Sequence, residues 1–160
     1  NSDRYIKYNG DPDVTFGFAS NFNYKNFDFS FNLRASLGNH IYNNINSVSA
    51  YYSLVQNNTV LGNIPTAVLD TNFIQPGSLG TQSDIFIENA SFLRMDNITL
   101  GYSFPKWLEG KASLRISAGI QNAFVMTKYS GLDPEITNNG IDNTIYPRPR
   151  TLLFGANIKF

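Results

Sequence analysis

Cysteine is absent from this sequence of 160 residues, and histidine occurs once. The first absence excludes disulfide staples, thiolate metal sites and a cysteine nucleophile. The second leaves His40 with no serine or acidic partner at a recognisable motif spacing, so neither a catalytic triad nor a histidine-based metal site is indicated. Charge is also sparse: 15% of residues are charged, and 12 basic residues balance 12 acidic ones. A formal charge of zero gives no footprint for nucleic acid or anionic lipid, so no nucleic-acid partner is expected. Long apolar runs are missing too. No stretch approaches about 18 consecutive apolar residues, so any membrane crossing must be made by strands.

What the sequence has in quantity is aromatic side chains, 14% of the total with 13 Phe and 9 Tyr, together with neutral polar Asn, Ser and Thr. That is poor material for solvated helices. It suits strands with one apolar face and one hydrogen-bonding face.

Five segments alternate with the period of two that marks such strands. Over about 14–24, Val14, Phe16, Phe18, Phe22 and Tyr24 share a face opposite Thr15, Gly17, Asn21 and Asn23. Over about 27–38, Phe27, Phe29, Phe31, Leu33 and Leu37 oppose Asp28, Ser30, Asn32, Arg34 and Ser36. Only Lys25-Asn26 separates the two, which predicts a tight hairpin. The third segment, about 92–104, changes phase: Leu93 and Met95 have one parity, Ile98, Leu100, Tyr102 and Phe104 the other. A β-bulge at Asp96-Asn97 accounts for the change. The fourth segment covers about 112–124 and the fifth about 151–160.

Strands of this length exceed the roughly five or six residues usual in soluble sheets and match a tilted crossing of a bilayer. The connections alternate in size: 25–26 and 105–111 are short, whereas about 39–91 and 125–150 are long. Bacterial outer-membrane barrels have this asymmetry, with short periplasmic turns and long extracellular loops. The long connections contain the breakers Pro65, Pro76-Gly77, Gly80, Asp133-Pro134 and Gly140 and are expected to be irregular, with a helical turn near 41–54. Single-chain bacterial barrels have an even number of strands, at least about eight, so five cannot close one. The expected fold is therefore all-β, an antiparallel transmembrane barrel of which this chain is a C-terminal fragment.

Several ordered motifs carry a family resemblance. Residues 90–105, ASFLRMDNITLGYSFP, followed by Gln121-Asn122-Ala123-Phe124, Tyr129-Ser130-Gly131-Leu132-Asp133-Pro134-Glu135, Tyr146-Pro147-Arg148-Pro149-Arg150-Thr151 and the closing 154–160, resemble blocks near the C-terminus of SusC/RagA-type TonB-dependent transporters of Bacteroidetes. Upstream, 9–18 and 24–28 are similar to the strand pair that precedes those blocks, so the likeness omits only about 55–83. The resemblance implies a cell outer-membrane location and a plugged barrel of roughly 22 strands importing oligosaccharides or peptides. It implies as partners the remaining N-terminal barrel and plug, a SusD-like surface lipoprotein, TonB acting through the N-terminal part, and the outer-membrane assembly machinery. The lipid bilayer would surround the strands. No enzymatic activity and no cofactor are implied.

In the last long loop, Tyr129, Asp133, Glu135, Tyr146 and Arg148 are candidates for contact with substrate or lid, against the plainer readings of loop packing and turn formation at Asp-Pro. Asp142 and Asp11-x-Asp13 lack the full spacing of a calcium loop. Gly155, Ile158 and Phe160 are similar to the signal read by the assembly machinery on a last strand, and are equally an ordinary barrel strand with an interfacial aromatic. Two rivals stand beside the transporter: a soluble β-sandwich glycan-binding module, and a hydrolytic barrel enzyme disfavoured by the missing Ser/His constellation.

Overall fold

The structure is a computed structural model and describes residues 8–57, 60–61, 63–71, 83–136, 139–143 and 146–160. Strand β1 covers Val14–Tyr24 and β2 covers Phe27–Leu37; β3, His40–Asn43, leads into the short helix α1, Asn44–Ser49. A small pair, β4 at Gln56–Asn57 and β5 at Val60–Leu61, precedes the single-turn helix α2, Val68–Thr71. Then come β6 at Ile87–Asn89, β7 at Phe92–Trp107, β8 at Ala112–Thr127, β9 at Ile141–Asp142 and β10 at Thr151–Lys159. The breakers Pro76-Gly77 and Gly80 lie outside the described residues.

Two compact units result. One comprises Val14–Leu37, Phe92–Thr127 and Arg148–Phe160; the other comprises Asn1–Asp13, Gly38–Ser91 and Lys128–Pro147. The first is an antiparallel sheet in the order β1-β2-β7-β8-β10, so among the described residues β1 and β10 are its edges.

Opposed residues in an antiparallel ladder share a face, and the register sorts this sheet cleanly. One cross-strand row runs Phe22, Phe29, Leu100, Ala118, Phe154, and the next Tyr24, Phe27, Tyr102, Ile116, Ala156. On the other face the rows read Asn21, Ser30, Thr99, Gly119, Leu153 and Asn23, Asp28, Gly101, Ser117, Gly155. Nothing in the unit covers the apolar rows: Phe22 is 56%, Leu100 51% and Phe154 82% exposed. Edge-to-face and tilted ring pairs, such as Phe27 on Tyr102 at 4.6 Å, knit this uncovered face along its length.

The phase change in β7 has its cause at Asp96. Met95 pairs with Leu33 and Phe124, Asn97 pairs with Asn32 and Gln121, and Asp96 between them opposes no residue of either neighbour. One extra residue places Asp96 and Asn97 together on the polar face and lets Met95 and Ile98 both return to the apolar one. β7 and β8 also run longer than their alternation suggests. Above the bulge Phe92, Leu93 and Arg94 pair with Thr127, Met126 and Val125, where the consecutive apolar residues 124–126 hide the period of two. At the other end the ladder skips Pro105 and Lys106 and closes on Trp107 with Ala112; proline cannot donate to a ladder, so the strand bulges past it. β2 stops at Leu37, one residue short of the expected end, because Gly38 turns away at φ 90° and a Cβ there would strike the Asp13 carboxylate.

The second unit departs further from expectation. The long connections are not irregular throughout: β3 pairs antiparallel with β6 and parallel with β9, making a three-stranded sheet. Its small core packs Ile41, Ala90 and Tyr129, with Ile136 against them. The helical turn expected near 41–54 is present as α1, with a 3-10 turn at Tyr52–Val55 after it. Residues 40–43 are strand, and α1 begins only where the Asn43 side chain accepts the Asn46 amide. Strands of two to four residues leave no periodic trace, and their partners lie far along the chain.

Candidate functional site

The polar face of the large sheet carries two forked ion pairs. Arg34 on β2 donates to both oxygens of Asp96 on β7, from Nε at 2.5 Å and from the terminal nitrogen at 2.8 Å. Arg115 on β8 does the same to Asp28 on β2, at 2.9 and 2.5 Å, reaching across the intervening β7. It can do so because β7 presents Gly101 there; a Cβ would meet the Asp28 carboxylate and the Arg115 guanidinium at about 2.5 Å. Planar guanidinium forks hold carboxylates in fixed orientation, so these pairs lock three strands in register on a wet face. Such pairs imitate acid/base dyads in sequence, but both carboxylates are occupied by arginine.

A second constellation lies at the start of β10. Asn122, in the left-handed region at φ 50°, accepts from the buried Arg94 guanidinium at 2.7 Å. Its amide nitrogen donates to the carbonyls of Arg148 at 3.1 Å and Pro149 at 3.3 Å. The first ladder pair of β10 is Thr151 with Gln121. The Asn122 side chain thus extends the β8–β10 pairing into a stretch where proline removes backbone donors.

In the loop unit, polar side chains from three segments meet. Glu88 of β6 accepts from the Ser130 amide at 2.8 Å, the Ser130 hydroxyl at 2.7 Å and the Asn43 amide nitrogen at 2.9 Å. Asn46 donates to the Ser130 hydroxyl at 3.2 Å. Beside them Asn43, Asn46, Ser130, Leu132 and Asp142 line a cleft of about 340 Å³. His40 sits apart, its Nδ1 3.0 Å from the Gly38 carbonyl and its ring stacked on Tyr8 at 4.0 Å. Among the described residues no group of three or more His, Cys, Asp or Glu is arranged to hold a metal ion.

The candidate contact residues fall in different settings. Tyr129 is buried in the loop core and donates to Asp142 at 2.6 Å. Asp133 is buried and accepts the Glu135 amide at 2.8 Å, the turn that Asp-Pro starts, with Glu135 half-buried beside it. Tyr146 is 79% exposed and Arg148 is exposed. On β10, Gly155 lies opposite Ser117 on the polar face, whereas Ile158 belongs to the apolar face and Phe160, just past the strand, is 90% exposed. Sequence reasoning overlooked Asn43, Glu88 and Ser130. No spacing links them, because Glu88 lies 45 positions after Asn43 and Ser130 lies 42 positions after Glu88, separations closed only by the fold.

Burial pushes the Tyr129 phenol well above its ordinary value, with the Asp142 hydrogen bond acting in the same direction. A pKa raised on folding contributes stability that is fully present below the unfolded value of about 10 and lost as pH rises through the folded one. We expect loop-unit protection from proteolysis to fall above about pH 10 in the wild type and to vary less there in Tyr129→Phe. Identical alkaline profiles for the two would show that Tyr129 is not the group involved.

An antiparallel sheet of 9- to 16-residue strands, apolar and uncovered on one face and ion-paired on the other, with short turns at one end and long folded connections at the other, defines the wall of an outer-membrane β-barrel. No protein-family model matches the chain. The TonB-dependent receptor SusC of Bacteroides thetaiotaomicron is 42% identical over 164 residues, which cover 99% of this chain and 16% of SusC. TonB-dependent receptor P3 of Formosa agariphila is 30% identical over 182 residues, covering 99% of this chain and 17% of the receptor. Among solved structures, the RagAB peptide importer in its closed-closed state superposes with a TM-score of 0.71 at 22% identity, over 94% of this chain and 18% of the matched one. The open-open state gives 0.68 over 97% of this chain. The chain belongs to the SusC/RagA-type TonB-dependent receptors of the outer membrane and corresponds to a C-terminal part of their barrel. It spans about one-sixth of the length of the curated relatives it matches.

Proposed function

We propose that this chain forms barrel wall and extracellular loops of a TonB-dependent importer of oligosaccharides or peptides. The observation that carries the reading is its 42% identity to SusC along 99% of its length. The two-faced sheet fits it: an apolar face for lipid and an ion-paired face for a wet lumen. On this reading residues 1–160 form a single C-terminal barrel portion. Its partners are the plug and the remaining strands of the same receptor, a SusD-like lipoprotein over the loops, and TonB reached through the N-terminal part. The assembly machinery would read Gly155, Ile158 and Phe160. The role includes no catalysis, in keeping with the receptors and the importer that the chain resembles. Of the five candidate contacts, Tyr146 and Arg148 are the exposed ones and the better placed to meet substrate or lid; Tyr129, Asp133 and Glu135 would shape their own loop.

A strain lacking the full-length receptor, supplied in turn with defined oligosaccharides and with peptides, tests the proposal. Uptake of at least one class should be lost and should return with the intact gene only while TonB is energised. Unchanged uptake across both panels would reject it.

A further inference from the structure

The apolar face is not uniformly ridged. From the middle of β7 toward the short turns, Leu100, Tyr102, Ile116 and Phe154 surround the small Ala118 and Ala156, leaving an open groove of about 600 Å³. Phe27 closes one side, and the strand backbones of β7, β8 and β10 form the floor. Large side chains around two alanines make a shallow trough rather than a smooth band. It lies within the face that the outer membrane covers, so its surroundings are lipid.

A second observation concerns charge. The net charge of zero conceals an uneven distribution along the barrel wall. At the short-turn end Lys25, Lys106, Lys111 and Lys159 are all exposed, and Glu109 is the acidic residue among them. Lys106 and Lys111 flank the β7–β8 turn directly beyond the groove, and Lys25 lies on the membrane side, its Nζ 5.4 Å from the centre of the Tyr24 ring. From Tyr102 to Lys106 is four residues, roughly 13 Å of strand or about 10 Å along the membrane normal at the usual barrel tilt, so the groove's end and the lysine belong to one leaflet. Short turns of such barrels face the periplasm, so the leaflet concerned is the inner one.

We propose that this groove is a specific lipid site: one acyl chain of an anionic glycerophospholipid of the inner leaflet lies over Ala118 and Ala156 while its phosphate meets Lys106 and Lys111. The groove supplies apolar contact along the chain, and the lysine pair supplies the attraction that distinguishes an anionic headgroup from a zwitterionic one. The inference rests on the membrane placement of the sheet and not on what the receptor imports. Failure of the lipid test therefore leaves the transport reading standing.

The experiment uses the full-length receptor in mild detergent, offered equal amounts of phosphatidylglycerol and phosphatidylcholine with identical chains and examined by native mass spectrometry. Phosphatidylglycerol should be retained in preference. Lys106→Gln with Lys111→Gln should lower that preference about fivefold or more, as expected for charges near a lipid surface. Ala118→Leu with Ala156→Leu, which fills the trough, should reduce retention of both lipids by about fivefold. Ala35→Leu, on the same face toward the other end, should change neither, and heat-modifiable gel mobility identifies variants that have formed barrels. Equal retention of the two lipids by the wild type, or undiminished retention after the trough is filled, would overturn the proposal. So would loss of a receptor dimer, with lipid unchanged, on filling the trough, since that would make a second copy the occupant. If the filled variant does not form a barrel, the lysine pair decides: an unchanged headgroup preference there overturns the site.

Discussion

Leu100→Arg in the full-length receptor should destabilise the barrel by about 2–4 kcal/mol, the cost of a guanidinium facing lipid near mid-membrane. Leu100 stands near the middle of β7, on the face shared with Phe29, Ala118 and Phe154, and is 51% exposed there. Thr99→Arg, one residue away on the polar face beside Ser30 and Gly119, should cost less, because a wet lumen solvates the charge. Past the bulge the parity inverts, so Met95→Arg should behave like Leu100→Arg although the two differ by an odd number of positions. Unfolding in liposomes by denaturant, read by gel mobility, measures all three. Equal losses at Leu100 and Thr99 would remove the basis for assigning the two faces, and a mild effect at Met95 would place the register shift elsewhere.

Asn122→Ala should cost about 3 kcal/mol. Roughly 1–2 kcal/mol comes from forcing alanine into the left-handed region that Asn122 occupies at φ 50°. The remainder comes from removing an acceptor of the buried Arg94 guanidinium and the donor to the Arg148 and Pro149 carbonyls. A graded series separates these parts. Asn122→Gly relieves the backbone but loses the bonds, so it should recover about 1 kcal/mol relative to alanine. Asn122→Asp keeps the acceptor for Arg94 and loses the donor. The local readout is hydrogen exchange at the first amides of β10, which should open faster in all three variants. Unaltered exchange at Thr151 and Leu152 would mean that Asn122 does not hold the entry to the last strand.

Much of the large sheet was legible because alternation is a local signal. Phe27 to Leu37 repeats its pattern over enough residues to give the strand, its faces and the tight turn before it. Even the bulge showed, since one extra residue must reverse the parity of everything beyond it. The ends of β7 and β8 were less legible: Phe124, Val125 and Met126 are all apolar, and only the partner strand shows that they still pair. Alternation puts Asp28 and Arg34 on the polar face, but nothing local matches them to Arg115 and Asp96. Their pairing depends on which strands become neighbours and on Gly101 leaving the path clear.

The loop unit was the least legible part. Asn43, Glu88 and Ser130 belong to short segments without periodicity, and Tyr129, a candidate for contact with substrate or lid, is buried against Ile41 and Ala90. Asp133 was recognisable as a turn former, and that is the role its hydrogen bond to Glu135 gives it.

By itself the sequence determined the two-faced strands, their order along the chain and the alternation of short and long connections, because side-chain period and turn chemistry act between near neighbours. The tertiary structure alone decided that two long connections fold into a unit of their own, which carboxylate each arginine holds, and where the lysines gather relative to the apolar trough. Those outcomes depend on register and on contacts between residues tens of positions apart, and no local pattern encodes them.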